Sequence, residues 1–571
     1  MSMFKKIFFL CGETIKKKLF YLFVILLSLT VLELASLGLV IPLLKLLIEE
    51  NQNIFFFEYL YNLKFINSDN IISYIFLAVM IIFLIKYFIY TYFIVVKSKL
   101  ITDIRTFLSL NFFTNYLNKD LFFFLRKNTS ELLRNCDQEI VTLGRCINAI
   151  LTLILEFLIM ISVVSFIIYV QPLISLISFI IILIFSIIYY FVSKNYLKKI
   201  GAKRFELQAT KVQFLIQGFG SIREIKINQN IKFYLTSFQN TMQRLMKIIK
   251  KRMILNEVIR PTYEILIIIC LTSNTILLKY FGFSWNEILS IIVVYGVAAV
   301  RVLPGFNKIN QNLQALVFNS PAISKLYDEM KSIKNYTDQI PNHENIQFKK
   351  SLFLKNISFG YQNKDILFND LNLEILKGDI IGISGKSGSG KSSLLELIAG
   401  LVSEKKGSIL IDNDAKNLAN NTSWYSKISY SSEKSYLIDD TLLTNITLST
   451  DTSITDHEHL NKILKMTKIL SEDNRYEINL DQKLGEVGKN LSTGQKQRIS
   501  LARALYKKSE ILILDETTNA VDELTQDKIM SEIFSYAKVN NMTVIVVSHD
   551  QKVLYKCEKK FLLQDQKIIS L

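Results

Sequence analysis

Gly385-Lys386-Ser387-Gly388-Ser389-Gly390-Lys391-Ser392 decides the fold of this chain, because it fits the phosphate-binding pattern G-x-x-x-x-G-K-[ST] at every fixed position. Asp379 to Ser384, just before it, is a short apolar run of strand type, and Ser393 to Ala399, just after it, repeats apolar residues at helical spacing. Strand, loop and helix in that order are what a phosphate cradle requires. Gly385, Gly388 and Gly390 let the backbone curl without Cβ clashes, so successive N–H groups and the helix start can face phosphate oxygens. Ser387, Ser389 and Ser393 fall in or beside the same loop. Lys391 is placed to bridge the β- and γ-phosphates, and the Ser392 hydroxyl to hold Mg²⁺. The expected ligands are ATP and Mg²⁺.

Working outward, Ile511-Leu512-Ile513-Leu514-Asp515-Glu516 reads as a buried strand that ends in two carboxylates. After a phosphate loop, Asp515 suits a supporting role at Mg²⁺, and Glu516 suits a general base that polarises the attacking water. Leu491 to Arg498, LSTGQKQR, leads into a helical run, so Ser492 and the Gly494 amide sit at a helix start and can meet a γ-phosphate, with Gln495 next to them. Two anion sites of this kind in one domain imply two copies of the chain. Asn356 to Tyr361 is a strand-like run ending in an aromatic able to stack on adenine, and His549 follows the strand Thr543 to Val547.

The chain ahead of this domain is of a different kind. Half of the 571 residues are apolar, with 39 Phe and 26 Tyr, which favours membrane spans. Six are expected, at about 19–47, 71–96, 147–170, 173–192, 258–278 and 288–302. The basic flank of Lys5, Lys6, Lys16, Lys17 and Lys18 sets the N-terminus in the cytoplasm. Two long polar segments, 97–146 and 193–257, then fall on the cytoplasmic side and are expected to continue their flanking helices beyond the bilayer. The second carries fourteen Lys and Arg against Glu206, Glu224 and Glu257, so the formal net charge of +17 follows from the positive-inside rule and does not point to nucleic acid. The aromatic stretch from Ile54 to Phe65 is too short to span; it reads either as an interfacial amphipathic helix or as packing against the spans. Pro304, Pro321 and Pro341 punctuate a polar stretch that reads as a helical extension and then a linker. Five scattered cysteines without a C-x-x-C pair argue against a disulfide framework or a zinc site. The expected organisation is a six-span transmembrane domain at 1–310, an extension and linker at 311–345, and the ATPase domain at 346–571.

The order of Tyr361, the phosphate loop, LSTGQ, Asp515-Glu516 and His549 resembles that of ABC exporter half-transporters, in which an α-helical six-span membrane domain is fused to an α/β P-loop ATPase domain. The resemblance implies adenine stacking for Tyr361, a D-loop acid at Asp522 and a switch role for His549. It also implies ATP held between two subunits, most simply a homodimer, with closure and hydrolysis driving alternating access. Contacts that couple the two domains are expected near 122–133 and 214–227. Three departures stand out. Glu433 occupies the position of the Q-loop glutamine, where it can still hold Mg²⁺ through oxygen but adds charge; the signature reads LSTGQ rather than LSGGQ; and Asn519 stands where Ser is common.

Charges at membrane depth, Glu33, Lys86, Glu156, Arg260, Glu264 and Arg301, suggest a cavity in which Lys86, Arg260 and Arg301 meet an anionic substrate. Together with the aromatic external segment and Val300 to Pro304, they resemble bacterial lipid-linked oligosaccharide flippases of protein N-glycosylation, in which basic cavity residues meet the lipid pyrophosphate. That resemblance implies a multi-pass protein of the bacterial inner membrane with its ATPase domain in the cytoplasm. An exporter of another glycolipid, a drug or a peptide is the alternative, and a membrane-bound regulatory ATPase or channel-like protein is the alternative of another class.

Overall fold

The computed structural model of the protein describes residues 3–12, 15–48, 71–170, 172–337, 345–361, 366–449, 451, 454–470, 479–485 and 488–571. The aromatic stretch 54–65 lies outside the described residues. The chain forms two compact units, one of Met1–Lys119 with Lys127–Asp338, the other of Asp120–Arg126 with Gln339–Leu571.

The helices are α1 (Met3–Cys11), α2 (Ile15–Ile48), α3 (Ile71–Leu117), α4 (Leu121–Arg126), α5 (Thr129–Cys136), α6 (Gln138–Val170), α7 (Pro172–Gly220), α8 (Ile222–Ile227), α9 (Ile231–Tyr280) and α10 (Trp285–Thr337). Among the described residues, six helical stretches are long and apolar enough to cross a membrane. At 1.5 Å per residue, a helix the length of α3 measures roughly 70 Å, more than twice the hydrocarbon thickness of about 30 Å. The polar halves of α3, α7 and α9 therefore continue the spans, as the charge distribution predicts. Within this unit α10 packs chiefly on α6 and α7, α2 on α3, and α9 on α7. Gly201 permits the closest approach, since a Cβ there would lie 2.0 Å from the Phe318 carbonyl oxygen of α10. One expectation is corrected: Pro304 and Pro321 do not punctuate the chain but lie inside the continuous α10. A proline removes one backbone donor and crowds the preceding turn, and packing of α10 against its neighbours offsets that cost.

The second unit holds two sheets. Strands β1 (Ser351–Phe359), β2 (Phe368–Leu376), β4 (Lys406–Ile411) and β5 (Asp414–Ala415) form an antiparallel sheet in the order β2-β1-β4-β5. Strands β3 (Ile380–Gly385), β6 (Ile428–Ser432), β7 (Ile511–Asp515), β8 (Thr543–Val547), β9 (Lys559–Gln564) and β10 (Lys567–Ser570) form the order β10-β9-β3-β8-β7-β6, parallel except for the β9–β10 pair. Continuous apolar runs suit strands covered on both faces. Ile511, Ile513, Ile545 and Val547 join a core with α11 (Lys391–Ile398) and the antiparallel sheet. Leu512, Leu514, Val544 and Val546 join a second core with α14 (His457–Met466), α15 (Thr493–Tyr506) and α16 (Glu523–Val539), which follow the short helices α12 (Thr422–Lys427) and α13 (Leu442–Thr447). Parallel strands point their C-terminal ends the same way, and that edge carries Gly385, Asp515 and Val547.

Candidate nucleotide site

At the C-terminal edge of the parallel sheet lies a cleft of about 910 Å³ lined by Tyr361, Leu367, Ser387, Gly388, Gly390, Lys391, Ser392, Ser393, Glu433, Glu516 and His549. The loop after β3 reaches it through a left-handed Gly390 (φ 100°), where a Cβ would come within 2.9 Å of the Phe368 ring. Only glycine fits there without moving that ring. Lys391 is buried, and its Nζ donates to the carbonyls of Gly385 (2.9 Å) and Lys386 (3.1 Å). An ammonium bound to its own loop is available to exchange those carbonyls for phosphate oxygens. The Ser389 hydroxyl has no hydrogen-bond partner among the described residues, which fits a donor to a phosphate oxygen.

Glu516 follows β7 with φ 51°, and its Oε1 lies 3.1 Å from His549 Nε2. Asn519 Nδ2 donates to the other oxygen at 2.9 Å. Asp515 is buried and accepts from the Tyr430 hydroxyl at 3.0 Å. Burial pushes the Tyr430 phenol well above its ordinary range, and the Asp515 charge adds to that. Ser392, Glu433 and Asp515 supply oxygen donors only, which suits Mg²⁺. Among the described residues no cluster of three acidic, His or Cys side chains forms a metal cage, so the fit is to an Mg²⁺ carried largely by phosphates.

Tyr361 lines the cleft. Its hydroxyl donates to Glu396 Oε2 at 2.8 Å and lies 3.0 Å from Ser393 Oγ, while its ring meets Phe359 and Phe122 edge-on at 5.4 and 5.8 Å. Phe122 belongs to α4, so this segment of the first 130 residues is part of the same unit as the cleft. Burial holds the Glu396 carboxyl above the usual carboxylate range; the Tyr361 hydroxyl opposes this and the Asp515 charge reinforces it.

Ser492, Gly494 and Gln495 are placed differently from the rest: they stand at the start of α15 and are not among the residues lining the cleft. Ser492 Oγ accepts from the Gln495 N–H, and Gln495 Oε1 accepts from the Ser492 N–H, a reciprocal cap. Asp522 caps α16 by accepting from the Thr525 N–H at 2.9 Å, and that bond holds its carboxyl below the usual range.

The profile of the ABC transporter family matches residues 368–519, which contain the phosphate loop, LSTGQ and Asp515-Glu516. The second unit carries an ABC transporter domain. The whole chain has the ABC exporter fold: it is similar to a bacterial Atm1-family ABC exporter with ATP bound at a TM-score of 0.77, over 97% of this chain and 94% of that one, with 18% identity. Curated relatives include a putative export ATP-binding/permease protein of Rickettsia bellii, 32% identical over 42% of this chain and 39% of the relative. Another is the ATP-dependent lipid A-core flippase 2 of Colwellia psychrerythraea, 30% identical over 45% and 43%. The match thus spans less than half the length of either relative.

In the membrane unit the three cations expected to share a cavity pair with two different acids. Lys86 Nζ and Arg301 Nε both lie on the buried Glu33 carboxylate, at 2.5 and 2.6 Å. Arg260 is not part of this cluster. It pairs with Glu264 one turn along α9 at 3.0 Å and is largely exposed. Sequence reasoning also missed Lys308, which lies 2.7 Å from Glu156. It falls beyond the last expected span, but α10 runs on unbroken and carries it there.

Proposed function

We propose that the protein is an ATP-driven exporter or flippase that works as a homodimer in the bacterial inner membrane. The observation that carries this reading is the cleft that brings Lys391, Ser392, Glu516 and His549 together on a chain with six candidate spans. Bound ATP with Mg²⁺ supplies the phosphoanhydride bond and the cation that neutralises its charge. Lys391 and the loop amides bind the phosphates, Ser392 and Asp515 hold the metal, and Tyr361 stacks on the base. Glu516 orients the attacking water, with His549 beside it. Because Ser492 and Gly494 lie outside the cleft of their own chain, the γ-phosphate contact from α15 comes from a second copy.

The cargo we favour is an anionic lipid-linked substrate, with a lipid-linked oligosaccharide as the specific candidate. Two cationic side chains on one carboxylate leave a positive excess at membrane depth, which suits a phosphate or pyrophosphate head group. A flippase for a lipid among the relatives supports a lipid cargo. Reconstitution into liposomes with a fluorescent pyrophosphate-linked glycolipid tests the whole reading. ATP-dependent translocation that disappears in Lys86→Gln/Arg301→Gln, with basal ATP turnover retained, is expected. Translocation that survives the double change removes the head-group role, and ATP turnover without movement of any lipid favours a regulatory ATPase.

A further inference from the structure

Within this chain the Glu516 carboxylate accepts from Asn519 at Oε2, and His549 Nε2 lies 3.1 Å from Oε1. Its backbone offers little freedom to re-aim it. The residue sits in the left-handed region, and its N–H donates to the Val547 carbonyl at 3.0 Å. The turn that carries Asn519 is fixed in the same way. The Ala520 N–H donates to the buried Gln497 Oε1 at 3.0 Å, and Gln526 Nε2 donates to Thr518 Oγ1 at 3.1 Å. Gly494 packs so tightly on this turn that a Cβ there would lie 2.7 Å from the Ala520 carbonyl oxygen. One uninterrupted set of contacts therefore runs from the start of α15, through the turn, to Glu516.

We propose that Asn519 is the positioning residue of the Glu516 carboxylate: an uncharged donor that fixes Oε2 and ties its aim to the start of α15. This rests on the reading of Glu516 as the general base. A carboxylate that polarises water directs one oxygen at the water and gains from having the other held. The Asn519 amide supplies that hold without adding charge beside the phosphate loop. A serine at this position is one heavy atom shorter and falls short of Oε2, so the amide is the feature that makes the contact.

The test uses the full-length protein in nanodiscs, with ATP turnover measured for Asn519→Ala and Asn519→Asp, each with and without Glu516→Gln. Aspartate keeps the shape of asparagine but turns a donor into a second carboxylate facing the first. The role of a donor predicts that kcat falls about tenfold in Asn519→Ala and further, about a hundredfold, in Asn519→Asp, with KM for ATP within about twofold of the parent. With Glu516→Gln in place, both substitutions should leave the residual turnover within about twofold, because the group they position is gone. A milder effect of Asp than of Ala means that Asn519 serves packing, and equal losses with and without Glu516→Gln overturn the link to the carboxylate. Should Asn519→Asp fail to fold, Asn519→Ala against Glu516→Gln decides alone. If Glu516→Gln turns over ATP as the parent does, the general-base reading fails first, independently of any Asn519 variant, and the positioning role falls with it.

Discussion

Two regions of this molecule place charge in opposite ways. At the edge of the parallel sheet, Glu516 and Lys391 are held by neutral partners, the Asn519 amide and the loop carbonyls, with a histidine beside the acid. In the membrane unit, Lys86 and Arg301 share one buried carboxylate, Glu33, and Lys308 lies on the buried Glu156. Neutral partners fix the aim of a charge and leave it free to act on a ligand. A buried counter-charge makes the charge tolerable where water is absent, and much of its force is spent on the partner. The first arrangement suits the proposed reaction site; the second suits charges placed among long apolar helices.

The sharpest way to break this comparison is at Glu516. Glu516→Gln should leave ATP binding intact while hydrolysis falls about 10²–10⁴-fold, whereas Lys391→Ala should abolish binding itself. Near-parental turnover in the first variant, measured by phosphate release, removes Glu516 from the base role. Unchanged ATP affinity in the second removes Lys391 from the phosphate site.

On the membrane side the matching change is Glu33→Gln. Two cations then lose their counter-charge, at a cost of about 3 kcal/mol, the lower end for buried pairs because both cations keep partial exposure. Thermal unfolding in detergent should show the loss, and adding Lys86→Met should recover part of it. A midpoint equal to that of the parent would mean that the carboxylate is not what makes these cations tolerable.

A smaller effect is expected at Glu433, which lines the cleft with its charge unshared by any ion pair among the described residues. Glu433→Gln removes a negative charge near the metal oxygens, so the Mg²⁺ concentration for half-maximal hydrolysis should rise several-fold. Superimposable Mg²⁺ titrations make the acid at this position equivalent to an amide.

The smallest effect concerns Glu396, a half-buried acid that forms no ion pair among the described residues. Burial shifts its carboxyl above the ordinary range in the fold, so the native state releases its proton at a higher pH than the unfolded chain does. Its contribution to stability is fully present below the ordinary carboxylate range, about pH 4, and is lost as pH rises through the raised value. Glu396→Gln should therefore gain thermal stability over the parent as pH increases, and little at about pH 4. A difference that does not change with pH refutes that reading.

The sequence by itself determined the elements whose signal is local. The phosphate loop, the strand ending in Asp515-Glu516, the LSTGQ helix start and the six apolar runs are contiguous in the chain, and each dictates its own backbone, so their identities and order are readable without coordinates. The positive-inside count and the length of the polar segments likewise announced helices that outrun the bilayer. Only the tertiary structure decided which side chains meet. Lys86, Arg301 and Glu33 come from three helices, Asn519 reaches Glu516 through a turn whose shape is set by Gln497 and Gly494, and Tyr430 finds Asp515 across neighbouring strands. Pro304 and Pro321 read as punctuation of a helical extension but lie inside the continuous α10, and the partner of Arg260, Glu264 on its own helix, shows only in the structure. The physical reason is the same in each case: a motif fixes the conformation of neighbours in sequence, whereas an ion pair or a positioning hydrogen bond depends on how helices rotate and cross, which no short stretch of chain encodes.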